Sequence, residues 1–99
     1  MERMYYINVT YRIRLKELQA INSLRKNGFY MRVYNPITLH DYTKDFAAGR
    51  IIPESDKAIV SLTLNTHDFW DYREKSNLVF NQGIVPLDFK SGQVFGPSP

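Results

Sequence analysis

From Tyr5 to Leu15 the chain alternates without a break. Tyr5, Ile7, Val9, Tyr11, Ile13 and Leu15 are apolar or aromatic. Of the intervening Tyr6, Asn8, Thr10, Arg12, Arg14 and Lys16, all but the first are plainly polar. A period of two over this length, rich in β-branched and aromatic types, predicts a strand with one buried and one wet face. The period then changes. Leu18, Ile21 and Leu24 recur at helical spacing within residues 16–27, and Gly28 is a natural terminator. Arg25 and Lys26 suit the negative end of that helix. Phe29 to Tyr34 alternates again, and Asn35-Pro36 ends this second strand, since proline cannot extend a ladder. If the two strands run parallel, the connection is a right-handed crossover.

Weaker patterns follow. Thr38 to Ala48 predicts a short helix, with Thr38 as cap, Asp41 in the first turn, Leu39, Tyr42 and Phe46 on one face, and Gly49 at its close. Arg50 to Asp56 reads as a loop around Pro53. Lys57 to Asn65 predicts a third strand, in which Ala58, Val60, Leu62 and Leu64 alternate with Ile59, Ser61 and Thr63. The apolar Ile59 on its second face suggests a central position. Thr66 to Lys75 predicts a helix with Thr66 as cap, Phe69 and Tyr72 as its apolar face, and an Asp71–Lys75 pair one turn apart. Leu78 to Phe80 and Ile84 to Phe89, joined through Asn81-Gln82-Gly83, predict a terminal hairpin whose second arm Pro86 marks as an edge. The expected architecture is a single α+β domain over residues 1–89. It holds a mixed sheet of four to five strands and two to three short helices, in the order β-α-β-α-β-α-β-β. Residues 90–99 are expected to form a loose tail.

Composition narrows the classes. The chain has 99 residues, 43% of them hydrophobic and 14% aromatic, which is a folding composition rather than a disordered one. It has no cysteine, which excludes disulfide scaffolds, thiolate zinc sites and cysteine nucleophiles. No apolar run approaches the ~20 residues of a membrane span, and no signal-peptide pattern opens the sequence. The expected setting is cytoplasmic, or the host cytoplasm for a viral protein, with no membrane partner.

The net charge of +3 conceals an asymmetry. Residues 1–34 carry seven basic and two acidic side chains, whereas residues 35–99 carry six basic and eight acidic. Strand parity sends Arg12, Arg14 and Lys16 to the outer face of the first strand and Arg32 to that of the second, with Tyr6, Tyr30 and Tyr34 beside them. Guanidinium groups among tyrosine rings can neutralise phosphates and stack bases of a single-stranded nucleic acid. The same residue types also suit any wet, pleated surface. An RNA-recognition strand signature is not the explanation. Asn27 to Tyr34 matches it only at Gly28, Phe29 and Tyr34, and Phe29 faces inward by parity.

Two His-Asp pairs, His40-Asp41 and His67-Asp68, each follow a threonine. Brought together they would make a nitrogen-oxygen metal site or an acid-base pair for RNA cleavage. Adjacent residues on a helix point about 100° apart, so neither pair converges by itself, and an aspartate behind a threonine is also what a helix start favours. The isolated glycines form no phosphate-cradling loop, and no serine has a nucleophile-elbow context. Trp70, next to Phe69, falls on the surface if Phe69 faces the core, where it would serve as an interface anchor.

The expectation is therefore a non-enzymatic binding or regulatory protein without cofactor or metal. It would act through a protein–protein interface with a partner or a second copy, and small cysteine-free chains of this kind are common among viral and mobile-element accessory proteins. The alternatives are nucleic-acid binding through Tyr6, Arg12, Arg14, Lys16, Tyr30, Arg32 and Tyr34, and a small nuclease using His40 or His67.

Overall fold

A computed structural model of the chain describes residues 3–14, 17–48 and 57–95. The elements run β1 (Arg3–Arg14), α1 (Leu18–Lys26), β2 (Tyr30–Tyr34), α2 (Thr43–Ala47), β3 (Lys57–Thr66), α3 (Phe69–Phe80) and β4 (Asp88–Phe95). The strands form one sheet in the order β2-β3-β1-β4. The α+β class is as the periodicities predicted. The sheet is not mixed: every neighbouring pair is antiparallel. β1 and β2 do run parallel, but β3 lies between them. Apart from the short α2, this is the β-α-β-β-α-β connectivity called split β-α-β or ferredoxin-like. Such a topology says nothing about function by itself.

Helices cover one face of the sheet. Ile7, Val9, Tyr11 and Ile13 of β1 meet Met31 and Val33 of β2 and Ala58, Val60 and Leu62 of β3 in one core. α1 contributes Leu18, Ile21 and Leu24, and α3 contributes Val79. The apolar spacing of α1 is thus its buried stripe. Its end is a Schellman turn: the Gly28 N–H donates to the Arg25 carbonyl, and the Phe29 N–H to that of Leu24. Gly28 takes φ +100°, a conformation that disfavours any residue with a Cβ.

Four further expectations are corrected. The predicted hairpin does not exist, because Leu78 to Phe80 continue α3 and a single strand follows. The apolar run there is a helix end that buries Val79, whose carbonyl accepts from the Tyr11 hydroxyl at 3.4 Å. The expected tail is largely sheet: residues 90–95 belong to β4, in unbroken register with β1, while residues 96–99 lie outside the described residues. The second helix is shorter than predicted and starts at Thr43 rather than after Thr38. Asn35, buried, ties down the turn before it by accepting from the Ile37 and Thr38 N–H groups and donating to the Tyr42 hydroxyl. Leu39, expected on an apolar helix face, is exposed at φ +61°. Gly49 and the loop at 50–56 lie outside the described residues. In α3 the cap is Asp68 rather than Thr66, and its carboxylate accepts from the Trp70 N–H at 2.9 Å.

The two edges of the sheet differ. Along β2 the chain closes its own edge. The Tyr42 N–H donates to the Val33 carbonyl at 2.7 Å, the Val33 N–H to the Thr43 hydroxyl at 2.9 Å, and the Asn35 N–H to the His40 carbonyl at 2.9 Å. Along β4, no described residue pairs with the outer edge.

Candidate functional site

Directly opposite residues of an antiparallel pair share a face, so the register fixes what the open face carries. Across β2, β3 and β1 the rows read Tyr34–Ile59–Arg12, Arg32–Ser61–Thr10 and Tyr30–Thr63–Asn8. β4 extends the last two with Asp88 and Lys90. Beyond them, Tyr6 lies between Asn65 and Gly92, and at the other end Arg14 is opposite Lys57. The face is thus polar at its centre, with tyrosines and cations distributed around it. With strands ~4.8 Å apart, the rings of β2 and the cations of β1 stand about 10 Å apart across the sheet.

Six of the seven residues picked from parity share this face: Tyr6, Arg12, Arg14, Tyr30, Arg32 and Tyr34. Lys16 lies outside the described residues. The sequence reading missed Lys57 and Lys90. Lys57 was legible, since it has the parity of Ser61 and Thr63. Lys90 was hidden by the expectation of a tail.

The six are not equivalent. Arg12 and Arg14 are exposed, and with Ile13, Glu17 and Lys57 they line a shallow hollow at one end of the sheet. Arg32 is already engaged: its guanidinium donates to the Asp41 carboxylate at 2.9 Å and lies 5.4 Å from the centre of the Tyr30 ring. The neighbouring tyrosines Tyr30 and Tyr34, then Asp41, hold the Arg32 pKa above its ordinary value. Asp41 is held below the usual carboxylate range, first by the Thr43 hydroxyl and N–H and then by Arg32. Arg32 therefore has less charge to offer a ligand than Arg12 or Arg14.

Tyr6 has a distinct setting. A Cβ on Gly92 would come within 3.2 Å of the Tyr6 ring and 3.3 Å of its hydroxyl. The ring therefore lies across the glycine, close against the sheet. A side chain at 92 would require the ring to give by a few tenths of an ångström, and a ring so placed turns its other side outward. Tyr30 is 60% exposed and Tyr34 half-buried.

The histidines are not brought together. His40 follows the turn after β2, beside the end of the sheet where Tyr34 meets Ile59. His67 follows β3 at the opposite end, with its Nδ1 3.0 Å from the Arg3 carbonyl oxygen. The stretch of β3 between them spans about 25 Å. His40 packs edge-on against Tyr42 instead, at 5.0 Å. Among the described residues no cluster of His, Asp and Glu has the makings of a metal site. No described helix is long and apolar enough to cross a membrane.

Trp70 stands apart from the open face, in the first turn of α3 on the helical side. It is 76% exposed and meets Phe69 edge-on at 5.5 Å. Phe69 packs against Tyr5, which stacks on Tyr72 at 4.9 Å. Tyr5 is the buried member of this group, so Trp70 is its outermost ring.

No protein-family model, curated protein or solved structure matches this chain.

Proposed function

We propose that this protein is a non-enzymatic binding module whose open sheet face takes single-stranded nucleic acid. The observation that carries the reading is the shared face itself. Arg12, Arg14, Arg32, Lys57 and Lys90 accompany three tyrosines there, with Asp88 as the one acidic residue among the strand positions of that face. Cations around a polar floor suit a phosphate backbone, and Tyr6, Tyr30 and Tyr34 offer rings for bases. A flat strand-and-ring surface accommodates an unpaired strand, whose bases can splay out, better than a duplex whose bases are already stacked. The polar floor of Asn8, Thr10, Ser61 and Thr63 also argues against this face being buried against another protein, because each such group then needs a new partner.

Fluorescence anisotropy with short single- and double-stranded DNA and RNA over a salt series tests the reading. The expected result is preferential single-strand binding that weakens steeply as salt rises. Absence of binding at low salt overturns it.

A second reading rests on a different surface. The exposure of Trp70 favours a protein partner docking on the helical side at α3, since tryptophan is a frequent interface anchor. Replacing Trp70 with alanine removes that contact and leaves the open face unchanged.

A further inference from the structure

We propose that the hollow at the Arg14 end of the open face takes the terminal phosphate monoester of a bound single strand, held between the guanidinium groups of Arg12 and Arg14. The inference rests on the reading of that face as a single-strand site and adds which part of the strand lies where. Its basis is the uneven distribution of the cations. Arg32 is held by Asp41 at 2.9 Å, and Lys90 shares its strand face with Asp88 two residues away. Arg12, Arg14 and Lys57 gather instead around one hollow of about 290 Å³, which Ile13 and Glu17 also line. All three cations are exposed. Neither Arg12 nor Arg14 makes an ion pair among the described residues. The carboxylate of Glu17 accepts from the Arg14 backbone N–H at 3.3 Å.

That grouping fits the end of a strand better than its interior. A phosphate monoester carries about −1.5 to −2 charges at neutral pH and three acceptor oxygens. An internal phosphodiester carries a single charge. Two guanidinium groups, each a fork of donors, match the monoester in charge and in geometry. Position points the same way. The Arg14–Lys57 pair is the last of β1 against β3, one row beyond Tyr34–Ile59–Arg12. Tyr34, Tyr30 and Tyr6 therefore all lie to one side of the hollow, at increasing distance along the strands. A nucleic-acid strand anchored there by its terminal phosphate runs back over the polar floor, with its bases within reach of those rings.

Anisotropy titrations of the full chain with one short, internally labelled oligonucleotide test this. The oligonucleotide is prepared with a 5′-phosphate, with a 3′-phosphate, or with hydroxyls at both ends. The expected result is that a terminal phosphate raises affinity roughly tenfold, and the end that does so fixes the direction of the strand. Arg14→Gln should abolish that advantage and change binding of the hydroxyl-ended strand little. Lys90→Gln removes the same charge away from the hollow and should keep the advantage. Both side chains are exposed, so circular dichroism should show the fold intact in both variants. Equal affinity for all three strands overturns the inference and leaves the single-strand reading of the face standing. A phosphate advantage that survives Arg14→Gln, or that Lys90→Gln removes equally, places the terminal phosphate elsewhere and overturns it as well. Failure of all three strands to bind at low salt removes both the inference and the reading beneath it.

Discussion

The two faces of β1 belong to the same residues of sequence and have opposite fates. Ile7, Val9, Tyr11 and Ile13 are all but inaccessible, while Asn8, Arg12 and Arg14 between them are exposed. One strand thus serves as a core element on one side and, in the proposed function, as a binding floor on the other. The difference is set by parity alone, because a one-residue slip would exchange the two sets. On that proposal, stability and binding reside on separate side chains of a single strand and should respond to different substitutions.

The largest expected effect lies on the inner face. Ile7→Ala, at a fully buried position, should cost about 2–5 kcal/mol of unfolding free energy in urea titrations. On the outer face, the double reversal Arg12→Glu, Arg14→Glu should weaken single-strand binding by roughly a hundredfold at low salt and flatten its salt dependence. Its urea midpoint should stay close to that of the unaltered chain, since both side chains are exposed. A large loss of stability there would break the separation of faces. Tyr30→Ala should reduce affinity about tenfold, the lower part of the range for one stacked base, again with little change in stability.

A smaller effect comes from Tyr11, whose hydroxyl lies on the inner side of the same strand. Burial pushes its pKa from 10.0 up to about 12. The unfolded chain loses this proton near pH 10 while the folded chain keeps it, so the contribution of Tyr11 is complete below pH 10 and is lost as pH rises towards 12. Tyr11→Phe should remove that part of the alkaline decline, read as the difference between two urea-stability profiles. The smallest effect belongs to Asp41 on the margin of the outer face. Its lowered pKa stabilises the fold above the ordinary carboxylate pKa, and this is lost as pH falls through the lowered value. Asp41→Asn should lower the thermal midpoint slightly at neutral pH and bring the two profiles together as pH falls, a small effect because the Arg32 pair is exposed.

The same division explains what could be read from the sequence. Parity alone placed the β1 and β2 residues of the open face, because these strands alternate cleanly and each has one apolar side. What lies between Arg12 and Tyr34 could not be read that way. Ile59 separates them because β3 inserts between β1 and β2, and strand order depends on contacts far apart in the chain. Leu78 to Phe80 were misread because a short apolar run has the same appearance in a strand and in a helix end. The Asp68 cap and the packing of Val79 under Tyr11 decide for helix. β4 was missed for the opposite reason. As an edge strand holding Lys90, Ser91, Gly92 and Gln93, it carries little of the apolar alternation that marks a strand, and Gly92 gains its meaning only from the Tyr6 ring above it.

The central claim is that the open face, and not the helical side, meets the ligand. Backbone amide chemical shifts followed by NMR during titration with a short single-stranded oligonucleotide test it most directly. The expected perturbations fall on Tyr6 to Arg12, Tyr30 to Tyr34 and Ile59 to Thr63, leaving α1 and the Trp70 end of α3 still. Perturbations centred on Trp70 and its neighbours, or none at saturating oligonucleotide, would contradict it.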